Sequence, residues 1–171
     1  MKTKPLFDEN AIAEKVAQLG KRISDDYAGE ELVVIGVLKG SIVFLSDLIR
    51  HITSPLHVEF IGVSSYSGTQ SSGHVRITHD LSAQLQGRHV LVVEDIVDTG
   101  LTLDYLLDTF KVRAPASLKV CTLLSKPQSH RMRHDIDYVG FEISNEFVIG
   151  YGLDLDGLYR NMPYIAQVIE S

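Results

Sequence analysis

The sequence predicts an α/β fold, a doubly wound and mainly parallel sheet flanked by helices, in one domain covering residues 1–171. Three observations point there. The runs at 32–38, 89–93 and 118–124 are almost continuously apolar and rich in β-branched residues, as strands buried on both faces must be. Helical stretches alternate with them: Ile12, Val16, Leu19, Ile23 and Tyr27 recur at helical spacing, and 42–52 and 100–112 each follow a strand. No repeat, linker or shift in composition divides the chain, so strands and helices alternate within one unit.

Taken in order, the first helix has Asp8 or Asn10 as its cap and Gly29 as its stop. Lys39-Gly40-Ser41 breaks the strand at 32–38 and leads into the helix at 42–52. A strand at 57–65 follows. The stretch 66–74 contains almost nothing apolar and holds Gly68 and Gly73, while Val75-Arg76-Ile77-Thr78 alternates as a returning strand, so the polar segment reads as a long exposed hairpin loop. Lys126-Pro127 ends the strand at 118–124. Shorter strands are expected at 138–143, 147–151 and 164–169. The N-terminal Met1-Lys2-Thr3-Lys4-Pro5 leads into a charged amphipathic stretch rather than the apolar core of a signal peptide.

Composition narrows the function. Sixteen Lys and Arg against 22 Asp and Glu leave a net charge of −6, and the densest basic run, Arg131-Met132-Arg133-His134, is short. Such a surface repels phosphate backbones, so no nucleic-acid partner is expected. No apolar run approaches the length of a membrane span, so no membrane partner is expected either. The single cysteine, Cys121, lies in an apolar strand and reads as a buried packing residue. One thiol cannot staple a domain, and a reducing cytoplasmic location follows.

The chemistry concentrates in Val90-Leu91-Val92-Val93-Glu94-Asp95-Ile96-Val97-Asp98-Thr99-Gly100-Leu101-Thr102. Four apolar residues form a buried strand, and Glu94 and Asp95 sit at its C-terminal end, where open α/β sheets bind ligands. Asp98 follows, and Thr-Gly-x-Thr opens a helix whose first amides have no partner of their own and suit an anion. Thr99 and Thr102 add hydroxyl donors. A phosphate therefore fits at 98–102, and a polyhydroxylated or metal-bound group fits at Glu94 and Asp95. Asp-Thr-Gly alone also caps helices, but in the full run each position has its own task on one ligand. Phosphate beside sugar hydroxyls describes a ribose phosphate.

This run resembles the phosphoribosyl-pyrophosphate signature of the type I phosphoribosyltransferases, an apolar strand followed by Glu-Asp-x-x-Asp-Thr-Gly-x-Thr. The resemblance implies that family's fold, with a small hood and a flexible hairpin loop. It further implies that Glu94 and Asp95 hold the ribose hydroxyls and influence a metal, and that Asp98, Thr99, Gly100, Leu101 and Thr102 cradle the 5-phosphate. Other segments between about residues 30 and 165 resemble the hypoxanthine-guanine branch. Leu38-Lys39-Gly40-Ser41 is similar to its pyrophosphate loop, in which the Leu–Lys peptide can be cis, and Ser65-Tyr66 to its lid. Lys126 matches the lysine set against the purine 6-oxygen. Phe147 matches the ring that stacks on the base, and Val148 the residue whose backbone reads its exocyclic edge. Asp154 matches a second metal-linked aspartate at the purine site, and Arg160 a pyrophosphate-binding arginine.

The resemblance thus implies transfer of a 5-phosphoribosyl group from phosphoribosyl pyrophosphate to N9 of hypoxanthine or guanine, with Mg2+ as cofactor. Glu94, Asp95 and Asp154 are its metal-linked residues, and the assembly it implies is a homodimer or homotetramer. Asp98 is the candidate general base for the purine N7 proton. A free aspartate of pKa about 3.9 is a weak base at neutral pH. It can act as one if desolvation or the nearby Glu94 and Asp95 raise that value, and a partial role as a hydrogen-bonded charge partner is the other reading. Alternative readings are a xanthine-preferring enzyme and a non-enzymatic regulator that senses ribose phosphate on the same fold. Two other motifs fail. Asp154-Leu155-Asp156-Gly157 lacks the remaining ligands of a calcium loop, and His130 and His134 have Arg131 and Arg133 between them, which repel a cation.

Overall fold

A computed structural model describes residues 1–65 and 75–170. The elements run β1 (Lys2–Phe7), α1 (Glu9–Asp26), β2 (Leu32–Leu38), α2 (Ile42–Ile49), β3 (Leu56–Ser65), β4 (Val75–His79), β5 (His89–Val97), α3 (Leu101–Lys111), β6 (Ser117–Ser125), β7 (Tyr138–Glu142), β8 (Val148–Ile149) and β9 (Ile165–Glu170).

The expected sheet is present. Six strands lie in the order β4-β3-β2-β5-β6-β7. All neighbours are parallel except β3 and β4, which pair antiparallel at one edge. Every residue of β2 from Leu32 to Val37 is buried, as its unbroken apolar run foretold. Its side chains divide between two cores. Leu32 and Val34 pack with Leu91, Val93 and the apolar stripe of α1 (Ile12, Val16, Leu19, Ile23). Val33, Ile35 and Val37 pack with Val90, Val92 and the buried face of α3 (Leu103, Leu106, Leu107, Phe110). Each fully buried Leu, Ile or Val contributes about 1.5–3 kcal/mol, so the two layers supply most of the drive to fold.

The connections place the site. From β2 the chain crosses through α2 to β3 on one side, and from β5 through α3 to β6 on the other. The direction of winding therefore reverses between β2 and β5, and the loops leaving those two strands open a crevice at their C-terminal ends. The parallel crossover from β6 to β7 is made by the loop 126–137, without a helix.

Three details differ from expectation. Residues 2–7, for which no element was expected, form a strand. β1 pairs antiparallel with β9, with Thr3 opposite Val168 and Pro5 opposite Ala166, building a small second sheet in the order β1-β9-β8. The strand expected at 147–151 contracts to Val148–Ile149 because Gly150, Tyr151 and Gly152 all take positive φ, which ends extended pairing. The helix expected at 42–52 ends at Ile49. Asp8 is the cap of α1, its Oδ1 accepting from the Ala11 amide at 2.8 Å. Among the described residues no helix is long and apolar enough to cross a membrane.

Candidate active site

Glu94, which is buried, and Asp95, which is partly buried, sit side by side on β5. Burial pushes the Glu94 carboxyl well above the usual carboxylate range, and the neighbouring Asp95 charge raises it further. Burial raises Asp95 as well, opposed by its contact with Glu94, by the Ile96 amide donating to its Oδ1 at 2.8 Å, and by the Arg160 charge. The β2 loop closes onto this pair. Leu38–Lys39 is a cis peptide, and Gly40 lies so close to Asp95 that a Cβ there would overlap the carboxylate. Gly152 in turn sits against the Gly40 carbonyl, leaving no room for a side chain. Strand β5 and two loops distant in sequence thus interlock at one point.

Past β5, Gly100 takes φ 80° as the N-cap of α3 and supplies no side-chain cap. Among the described residues, the Thr99, Gly100 and Thr102 amides have no acceptor, and the Leu101 amide has only a 3.4 Å contact to Thr99 Oγ1. Glu94, Ile96, Asp98, Thr99, Gly100 and Thr102 line a pocket of about 140 Å3 here. Unpartnered amides at a helix start, two hydroxyls and a positive helix end form an anion cradle. Leu101 is 63% exposed and leaves this cradle open.

A second cleft, of about 230 Å3, adjoins the first through Ile96 and Asp98 and is walled by Asp95, Lys126, Phe147, Val148, Leu153 and Asp154. Lys126 is only 8% exposed, and its Nζ donates to Asp98 Oδ2 at 3.0 Å. Phe147 offers a half-exposed ring beside the buried Val148, an apolar wall suited to a flat ring. At the far side Asp154 Oδ1 pairs with Arg160 Nη2 at 2.7 Å, and its Oδ2 accepts from the Gly157 amide. Arg160 Nη1 also donates to the Gly152 carbonyl at 2.6 Å. A larger cavity of about 460 Å3 lies behind, between α1, α2 and the segment 151–163, and shares only Arg160 with this constellation.

The sequence pattern that defines the phosphoribosyl transferase domain matches residues 2–156. The chain belongs to the phosphoribosyltransferase family. It is 50% identical over 170 residues to the hypoxanthine-guanine phosphoribosyltransferase of Mycobacterium avium, covering 95% of this chain and 84% of that protein. It is 48% identical over 163 residues to the bifunctional protein TilS/HprT of Listeria monocytogenes, covering 95% of this chain but spanning only 25% of that longer relative. The fold matches the crystal structure of a hypoxanthine-guanine phosphoribosyltransferase from Bacillus anthracis with a TM-score of 0.92 at 46% identity, over 99% of this chain and 100% of that one.

In this phosphoribosyltransferase Glu94, Asp95, Asp98, Thr99, Gly100, Thr102, Lys126, Phe147, Val148 and Asp154 line the two pockets, Gly40 packs against Asp95, and Arg160 pairs with Asp154. Tyr66 falls outside the described residues, and Ser65 is placed only as the end of β3. Among the described residues no three His, Cys, Asp or Glu come together closely enough to hold a metal on their own. Asp95 and Asp154 share one cleft, while Glu94 faces the cradle. Sequence reasoning missed Ile96, which lines both pockets, together with Leu153 and Gly152. Ile96 occupies a variable slot of the signature, and only its place between two cavities marks it. Tyr151, whose hydroxyl donates to Asp47 on α2, was likewise read only as the end of a strand.

Proposed function

We propose that this phosphoribosyltransferase moves the 5-phosphoribosyl group of phosphoribosyl pyrophosphate to N9 of hypoxanthine or guanine, releasing pyrophosphate and forming the nucleotide. One observation carries the reading. An anion cradle and an apolar cleft meet at Asp98, and the cleft holds a buried ammonium, that of Lys126. The cradle takes the 5-phosphate through amides 99–102. The cleft takes the purine, with Ile96 and Phe147 on its faces and Lys126 donating to the 6-oxygen. A donor at that position favours an oxo over an amino base.

As N9 attacks C1 of the ribose, the C1–O bond to pyrophosphate breaks and the N7 proton leaves the base. Asp98 accepts that proton, with Lys126 3.0 Å away as its charge partner. Developing positive charge on the sugar faces the Glu94 and Asp95 carboxylates, and positioning supplies much of the remaining rate. Lys39, Gly40 and Arg160 border the place where pyrophosphate departs.

The adjacent carboxyls of buried Glu94 and partly buried Asp95 suit a nearby divalent cation, whose charge would offset the desolvation that raises both. Asp95 and Asp154, which share the cleft, would hold Mg2+ beside the phosphoribosyl donor, and the ion would supply charge to offset that of the leaving pyrophosphate. The same reading has the enzyme working in the cytoplasm as a homodimer or homotetramer.

The test is nucleotide formation from phosphoribosyl pyrophosphate and Mg2+ with hypoxanthine, guanine, xanthine and adenine in separate reactions. Turnover with hypoxanthine or guanine, and at least about 10²-fold less with adenine, is the expected result. No product with any base would end the transferase reading, and product with xanthine alone would move the substrate assignment.

A further inference from the structure

We infer that Asp104, in the first turn of α3, is a positioning residue that fixes the phosphate cradle relative to the purine cleft by gripping the loop that carries Lys126. The inference rests on the transferase reading above and adds to it a residue that touches neither substrate.

Asp104 is 6% exposed, between Leu103 and the buried Leu106 and Leu107. Packing alone would be served as well there by an apolar side chain, since a buried carboxylate is tolerated only when its oxygens are satisfied. Both oxygens of Asp104 accept from one backbone amide, that of Arg133, at 3.2 and 3.0 Å. The Arg133 Nε lies 3.6 Å from the same carboxylate, and its Nη2 pairs with Asp108 one turn further along α3 at 2.6 Å. His134 Nε2 adds a 2.9 Å contact to Asp108. A bond to main chain holds the path of the loop itself, and a charged acceptor makes it strong and directional.

The gripped loop serves both pockets. At its start the Lys126 amide donates to the Val97 carbonyl at 2.9 Å and its ammonium reaches Asp98. The Ser129 and His130 amides turn back onto the Lys126 carbonyl. Just before Asp104's partner, the Arg131 amide donates to the Thr99 carbonyl at 3.3 Å, and Met132 lies where a Cβ on Gly100 would have to go. The segment 126–133 therefore begins at the base-facing lysine and ends packed against the outside of the cradle. Asp104 is the point where α3 holds that end. Its negative charge also lies one turn below the phosphate position, where the Arg133 guanidinium offsets it.

The experiment measures kcat, KM for donor and base, and thermal midpoint for the unmutated enzyme and for Asp104→Asn, Asp104→Ala and Arg133→Ala. Asp104→Ala is expected to raise KM for both substrates about tenfold with kcat changed about threefold or less, because it loosens both pockets at once. Asp104→Asn, which keeps one acceptor for the amide, gives a smaller rise in both, about threefold. Arg133→Ala keeps the backbone grip and raises KM for the donor alone. A merely structural role would lower the thermal midpoint and leave both KM values within about twofold of the unmutated enzyme in folded Asp104→Asn and Asp104→Ala. That result overturns the inference. If Asp104→Ala does not fold, Asp104→Asn decides by the same criterion. An unmutated protein that forms no nucleotide sinks the transferase reading itself, whereas normal turnover with unmoved KM values in the variants sinks only the role of Asp104.

Discussion

At the scale of single residues, the proposed chemistry rests on Asp98 and Lys126. An isolated lysine after an apolar strand is normally solvated, yet here the ammonium is buried and faces a carboxylate. The sequence supplied both residues but not their meeting. Their side chains come together because β5 and β6 run parallel in a register that sets Val97 opposite Ser125, the residue before Lys126. Removing the carboxylate charge from Asp98 should damage chemistry more than binding. Asp98→Asn is expected to lower kcat about 10²-fold with both KM values within about threefold, measured by steady-state nucleotide formation. Full activity in a folded Asp98→Asn protein would remove it as the proton acceptor. Lys126→Met should instead raise KM for the oxopurine about tenfold or more and narrow the preference over adenine.

At the scale of elements, the loop leaving β2 is built to touch β5. Gly40 is small because Asp95 occupies the space beside it, and Gly152 is small because the Gly40 carbonyl does. Gly40→Ala forces that contact apart. We expect KM for the donor to rise about tenfold while KM for the base stays within about threefold, since Lys126 and Phe147 lie on other elements. Equal loss for both substrates would show that the glycine supports the whole crevice. The central strands were legible because burial on both faces leaves an unbroken apolar run, and α1 because its buried residues recur every three or four positions. β1 was not legible. Lys-Thr-Lys-Pro shows no alternation, and its extended form depends on β9 at the opposite end of the chain. The shortening of β8 escaped notice for a similar reason, since non-glycine Tyr151 takes positive φ only in the company of Gly150 and Gly152.

At the scale of the molecule, the site depends on the two layers staying clamped to one sheet. One clamp joins α1 to β7, where the Tyr138 hydroxyl donates to Asp26 Oδ2 at 2.6 Å with Lys119 nearby. The Tyr138 hydrogen bond holds the Asp26 carboxyl below the usual aspartate range, and contacts from His134 and Arg133 do the same for Asp108 on α3. A carboxyl lowered on folding contributes stability that is present above its unfolded pKa, about 3.9, and is lost as pH falls through its folded value. Thermal midpoints should therefore drop as pH falls below about 4, and Asp26→Asn should flatten that acid limb while lowering the midpoint at neutral pH. An unchanged acid limb would mean that this clamp does not contribute. The two-pocket arrangement is also a property of the whole, since β5, α3, the loop that follows β6 and the segment 147–154 each supply part of it. A crystal structure with inosine monophosphate bound tests that arrangement most directly. The account predicts the 5-phosphate on the amides of residues 99–102 and the purine between Ile96 and Phe147, its 6-oxygen on Lys126 and N7 facing Asp98. A nucleotide whose phosphate lies away from the start of α3, or whose base lies outside the cleft at Asp98, would contradict it.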